Sequence, residues 1–148
     1  MSGRGRDLVP VPGGSSGSGR PSFLTVLFVD PDLNAAERLA SPLRATCAVA
    51  VVPTVQAAMA AIHVRMPDLV VTELDLPDMR GVEFLATLHN TPATHGVLLM
   101  VVTNRTSVRD KIAAFQAGAD HYLVKPLQPE QFLVHMRLVT RFRAIVSG

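Results

Sequence analysis

Cysteine is nearly absent. Cys47 stands alone, so no intrachain disulfide can form and no thiolate-rich zinc or iron-sulfur centre can be assembled. A reducing, cytoplasmic setting is the expectation. Tryptophan is missing and Tyr122 is the one tyrosine, which leaves no aromatic platform for stacking nucleobases. No apolar run approaches the roughly 20 residues of a membrane span. The longest lies around Val97 to Val102, and the N-terminal stretch lacks the apolar core of a secretory signal. Neither a membrane nor nucleic acid is therefore an expected direct partner. The five histidines, His63, His89, His95, His121 and His135, are scattered and form no short metal-binding motif.

What remains is enough for one folded domain. The 148 residues are 48% hydrophobic and 18% charged, values of a globular chain rather than a disordered one. The net charge of +2 resides in the first 22 residues, where Arg4, Arg6 and Arg20 oppose Asp7, and the remainder balances. That stretch, rich in Gly, Ser, Pro and Arg, cannot build a core and reads as a flexible tail (1–22) before a single domain (23–148).

From Leu24 onward, short apolar β-branched runs alternate with longer amphipathic segments. Strands are expected at Leu24–Val29, Cys47–Val51, Asp68–Thr72, Val97–Val102 and His121–Val124. Between them, Asn34–Arg44 reads as a helix interrupted at Pro42, and Thr54 is an N-cap for a helix reaching about Arg65. Val82–His89 is a short third helix, and Ser107 with Asp110 has capping-box spacing for a fourth that ends at Gly118. Pro129 opens a fifth that runs beyond Arg141. Its basic end, Arg137, Arg141 and Arg143 with no acid after Glu130, is accommodated by the helix dipole. Five strand-helix units point to a doubly wound parallel α/β sheet covered on both faces.

In such sheets chemistry sits beyond the carboxyl ends of the strands. Those ends carry Asp30 and Asp32, Glu73 and Asp75, Thr103 and Asn104, and Lys125 with Pro126. An acidic cluster there suits a hard divalent cation, and the lysine suits a carboxylate or phosphoryl group. The same residues serve equally as caps, turn formers and solvated loop charges. The turn Asp30-Pro31-Asp32-Leu33-Asn34 holds no glycine, so no glycine-rich phosphate cradle follows the first strand.

Several marks resemble one family. They are Val29-Asp30, the run Asp68-Leu-Val-Val-Thr-Glu73-Leu-Asp-Leu-Pro77-Asp-Met-Arg-Gly81, Thr103, and Gly118-Ala-Asp-His-Tyr122-Leu-Val-Lys125-Pro126. As a set they resemble the CheY-like receiver domain of bacterial two-component response regulators, over roughly Phe23 to Val146. The resemblance implies a flavodoxin-like (βα)5 fold with strand order 2-1-3-4-5 and a part in phosphorelay signalling rather than catalysis on an external substrate.

Position by position, the resemblance implies an altered site. The family's acidic pair falls on Asp30 and Pro31, so the residue that would touch Mg²⁺ directly has no ligating side chain. Asp32 is the nearest substitute, one residue out of register. The phospho-acceptor aspartate falls on Glu73, whose extra methylene displaces the carboxylate by about 1.5 Å, more than positioned chemistry tolerates cheaply. Asp75 lies in the loop and is a poor replacement. Thr103 and Tyr122 match the switch pair, Lys125 the phosphoryl-contacting lysine, and Pro126 the following cis proline. A Glu73–Lys125 ion pair is expected.

Three functions stay open at this point. One is phosphorylation-independent signalling with Glu73 as a fixed negative charge, and no cofactor. A second is conventional phosphoryl acceptance by Glu73 or a rearranged Asp75 from a sensor histidine kinase, with Mg²⁺ held weakly by Asp30, Asp32 and Glu73. The third is a structural dimerisation domain without a switch. Recognition of a signalling partner or a second copy is expected on the face of helix 4, strand 5 and helix 5.

Overall fold

The computed structural model describes residues 24–147, with side chains as far as Arg141. The stretch expected to be a flexible tail and the side chain of Arg143 lie outside the described residues.

Five strands form one parallel sheet in the order β2-β1-β3-β4-β5. They are β1 (Leu24–Val29), β2 (Cys47–Val52), β3 (Leu69–Thr72), β4 (Leu98–Thr103) and β5 (His121–Val124). The helices are α1 (Leu33–Ala40), α2 (Val55–Val64), α3 (Gly81–Asn90), α4 (Val108–Ala117) and α5 (Pro129–Ser147). This is the flavodoxin-like architecture that the resemblance implies.

The alternation of strand side chains divides the interior in two. Val26, Phe28, Leu69, Val71, Met100 and Val102 pack beneath α1 and α5. Their chain neighbours Leu27, Val29, Val70, Leu99 and Val101 point the other way, onto Val55, Ile62, Phe84, Leu85 and Leu88. A strand with both faces covered has no polar alternation, which is why all six residues of β4 are buried. On the first face the fully buried Phe132 lies against Phe28, with ring centroids 5.6 Å apart. Burial of such a side chain is worth about 1.5–3 kcal/mol, and it seats α5.

The helix ends follow local chemistry. Thr54 accepts from the Ala57 amide at 3.0 Å and Ser107 from that of Asp110 at 3.0 Å, as expected of N-caps. Gly118 closes α4 at φ +120°, a conformation open to glycine, with its amide donating to the carbonyls of Ala114 and Phe115. The first helix breaks where Pro42 is expected to interrupt it: α1 stops at Ala40, and Ser41–Ala45 continues as a 3-10 helix. Pro42 lacks the amide proton that an α-helix would need there. The third helix begins earlier than expected, at Gly81, because a glycine can press its backbone on the preceding loop. A Cβ there would lie 2.5 Å from Leu74 Cα. Loop carboxylates add cross-links: Asp68 accepts from the Thr25 amide at 2.8 Å, and Asp78 from the amides of Val55 and Gln56 at 3.0 and 2.9 Å.

One contact between β5 and α5 is titratable. His121 Nε2 and His135 Nδ1 are 2.8 Å apart, a distance at which one ring donates to the other. Burial, and secondarily the charge of His135, holds His121 below its ordinary value of 6.5. A base whose folded pKa is depressed binds a proton more readily when unfolded, so its contribution to stability is lost as pH falls below 6.5. Thermal melts followed by circular dichroism should show a steeper loss of Tm from pH 7.5 to pH 5 in the native sequence than in His121→Phe.

Candidate functional site

The sheet ladder itself aligns the site. Past the end of β1, the Asp30 amide donates to the Val52 carbonyl at 3.0 Å, and past β3 the Glu73 amide donates to that of Val29 at 2.9 Å. The Lys125 amide donates to the Thr103 carbonyl at 2.8 Å. Asp30, Glu73 and Lys125 are thus each the next residue after a strand, Thr103 is the last residue of β4, and the four side chains emerge at one edge. The Lys125–Pro126 peptide bond is cis.

There the Lys125 ammonium donates to Asp30 Oδ2 at 2.9 Å and to Glu73 Oε1 at 3.0 Å. The expected Glu73–Lys125 pair is therefore present, and Asp30 shares it. Glu73 Oε2 accepts from the amides of Leu74 at 2.6 Å and Asp75 at 3.1 Å, and from the Thr103 hydroxyl. The extra methylene lets the carboxylate fold back over its own loop, where successive amides form an anion-binding concavity. Asp30, Glu73 and Thr103 are all buried. Burial alone would depress the Lys125 ammonium, but its bonds to Asp30 and Glu73 outweigh that and hold it above its ordinary value.

Asp32 does not join them. Pro31 presets the turn, so that the Asp32 amide returns to Asp30 Oδ1 at 2.9 Å while Asp32 Oδ1 accepts from the Ala35 amide at 3.1 Å and caps α1. Asp32 is an N-cap here, and its role as a substitute ligand is not met by this geometry. The donor set does not fit Mg²⁺, which demands near-octahedral oxygen ligation. Both oxygens of Asp30 and of Glu73 are already bonded, and an ammonium sits between them. Among the described residues no group of three His, Cys, Asp or Glu side chains is placed to hold a metal ion. The adjoining cavity, lined by Asp30, Glu73 and Lys125 with Phe28, Leu39 and Val102, measures about 20 Å³, room for about one water.

Arg105 is a participant that sequence reading missed. Its guanidinium grips Asp75, with Nη2 at 2.6 Å and Nε at 3.0 Å from Oδ1, and reaches Asp110 at 3.5 Å. Asp75 is thereby turned away from the acceptor position. Arg105 follows Thr103 by two residues, but its partner lies thirty residues earlier, and no spacing rule links them. The backbone of Arg105 joins Thr103 and Tyr122: its amide donates to Thr103 Oγ1 at 3.3 Å, and its carbonyl accepts from the Tyr122 hydroxyl at 2.8 Å. Desolvation, followed by the fields of Asp110 and Glu73, pushes the Tyr122 phenol up. A bonded path runs from Glu73 through Thr103 and Arg105 to Tyr122.

Lys125 is the one cation among two buried carboxylates. Lys125→Met should destabilise the fold by about 3–5 kcal/mol, the usual consequence of breaking a buried pair from one side. Adding Glu73→Gln should recover a large part of that loss in urea denaturation, because the second buried charge is then gone.

Comparison with known proteins agrees with this architecture. The family model for the response regulator receiver domain matches residues 26–137. The DNA-binding response regulator MtrA of Mycolicibacterium paratuberculosis is 33% identical over 113 residues, covering 76% of this chain and 49% of that protein. The KDP operon transcriptional regulatory protein KdpE of Escherichia coli is 38% identical over 88 residues, covering 60% of this chain and 38% of that protein. A CheY-like response regulator receiver domain protein from Methanospirillum hungatei has a similar crystal structure, with a TM-score of 0.78 at 26% identity over 86% of this chain and 100% of that one. The chain spans about half the length of the first of these curated relatives. The match across most of the described sheet and helices is decisive: the chain belongs to the response regulator receiver domain family.

Proposed function

We propose that this receiver domain signals without phosphoryl transfer, using the Glu73 carboxylate as a permanent negative charge at the acceptor position. The observation that carries the reading is the set of partners Glu73 holds: the Lys125 ammonium, the Thr103 hydroxyl and two loop amides. In the family, the threonine hydroxyl and the lysine turn to a phosphoryl group. Here a carboxylate occupies both, and among the described residues no group of three His, Cys, Asp or Glu side chains is placed beside it to hold a metal ion. The domain then acts as an interaction module in two-component signalling, its partner a sensor histidine kinase or another signalling protein. DNA binding belongs to the longer relatives and is not part of the function proposed for these residues.

The output surface in this reading is the face of α4, β5 and α5. Val108, Ile112 and Phe115 repeat at helical spacing on α4 and are 68%, 50% and 48% exposed, and Val134 and Leu138 on α5 are each 53% exposed. Apolar side chains gathered at one face mark an interaction surface more than scattered ones do. A second copy of the chain meeting this face also accommodates a purely structural dimerisation role. Ile112→Glu should leave the fold intact by circular dichroism while lowering the mass measured by light scattering from dimer to monomer.

The central test is intact-mass spectrometry after incubation with Mg²⁺ and a small acyl phosphate donor. The native sequence should gain no mass, whereas the double variant Pro31→Asp with Glu73→Asp should gain one phosphoryl group. An adduct on the native sequence would overturn the proposal in favour of conventional phosphoryl acceptance.

A further inference from the structure

Beside the acceptor site, but separate from its buried ion pairs, a groove of about 340 Å³ opens between the start of α3 and the flank of α4. That volume lies in the usual range of small-molecule sites, about 300–1,000 Å³. Three arginines, Arg80, Arg105 and Arg109, line it against two aspartates, Asp75 and Asp110. Arg105 is engaged with both aspartates. The guanidiniums of Arg80 and Arg109 have no hydrogen bond or ion pair among the described residues. Two exposed arginines with no partner among the described residues therefore line a concavity whose acids are both engaged by Arg105.

We propose that this groove binds a small anion carrying at least two phosphoryl groups, and that the anion acts on the switch through Arg105. A guanidinium presents parallel N–H donors that match phosphate oxygens two at a time, and the two free arginines suit separate phosphoryl groups. No aromatic side chain lines the groove, so a nucleobase would find nothing to stack on and recognition rests on charge. The coupling follows from the position of Arg105. Its guanidinium stands in the groove on Asp75, while its carbonyl holds the Tyr122 hydroxyl at 2.8 Å. An anion competing with Asp75 for that fork shifts the residue to which Tyr122 is bonded. The binding site stands on the groove's own geometry, and its effect on Tyr122 rests on the proposed carboxylate-set switch. In that setting the groove supplies the input that a phosphoryl group on the acceptor supplies elsewhere in the family.

Inorganic pyrophosphate is the probe, titrated into the full chain at constant ionic strength and followed by two-dimensional amide NMR and by tyrosine emission. Tyr122 is the one tyrosine and there is no tryptophan, so the emission reports this switch residue alone. Saturable shifts at Gly81, Val82 and Arg109, accompanied by a change in emission, are expected. Arg80→Ala with Arg109→Ala should weaken binding by about tenfold or more, the worth of one good charge-assisted pair. Asp75→Asn, which frees Arg105, should tighten it. Shifts that rise linearly, or that persist unchanged in the double arginine variant, overturn the site. Saturation by an oligoglutamate peptide but not by pyrophosphate overturns it in favour of an acidic protein partner. Saturable binding with unchanged emission overturns the link to Tyr122. Intact mass read after the titration separates the two proposals: a phosphoryl adduct faults the phosphorylation-independent reading, and a linear titration at unchanged mass faults the groove.

Discussion

The ammonium of Lys125, held between the carboxylates of Asp30 and Glu73, is the interaction on which the upper edge of the sheet depends. β1 and β3 are paired up to that edge and β5 lies beyond β4, and the residue that follows each of the three strands joins this one contact. Asp30 and Glu73 are both buried, and like charges so placed repel strongly in a medium of low polarity. The ammonium answers both at once, and the hydroxyl and amides around Glu73 take up its remaining lone pairs. A buried ion pair contributes little net stability over a well-packed apolar substitute, but breaking it from one side is costly. The triad therefore enforces specificity at the crevice: β1, β3 and β5 must end in one register for the charges to meet.

That register is itself a consequence of the apolar sheet below. Strands buried on both faces cannot slip by one residue without moving every side chain to the opposite core. Once Val26 and Phe28 face one layer and Leu27 and Val29 the other, the position of Asp30 follows. The same reasoning carries Val70 and Val71 to Glu73, and Val101 and Val102 to Thr103. The chemistry of the site is set by packing several residues away from it.

Much of this was legible in the amino-acid order. Continuous β-branched runs separated by amphipathic segments identify a doubly wound sheet, and Thr54, Ser107 and Gly118 mark helix ends by chemistry local to a few residues. The Glu73–Lys125 pair could be anticipated because the family resemblance sets Glu73 at the acceptor position and Lys125 at that of the phosphoryl-contacting lysine. Tertiary geometry hid the rest. The early start of α3 depends on how closely Gly81 approaches Leu74. Asp32 offered a free carboxylate on paper, but a helix N-terminus one turn away claims it. Arg105 gave no signal because its significance lies in Asp75 and Tyr122, thirty and seventeen residues away in sequence.

Proline at position 31 and glutamate at position 73 are two parts of one arrangement. Proline commits the turn after β1 to a geometry in which Asp32 caps α1 and Asp30 keeps one oxygen for its own backbone. Only one oxygen of Asp30 then faces the crevice, and it goes to Lys125. In the proposed reading, with a second carboxylate withdrawn, the positive charge at this edge comes from Lys125. Glutamate in turn reaches far enough to hold that lysine and Thr103 together. An aspartate, about one methylene shorter, would need an added group to span the same gap. In the function proposed above, the two departures from the family's pattern compensate each other: one withdraws a ligand from the cation, and the other supplies within the chain the anion that the cation helps to install elsewhere.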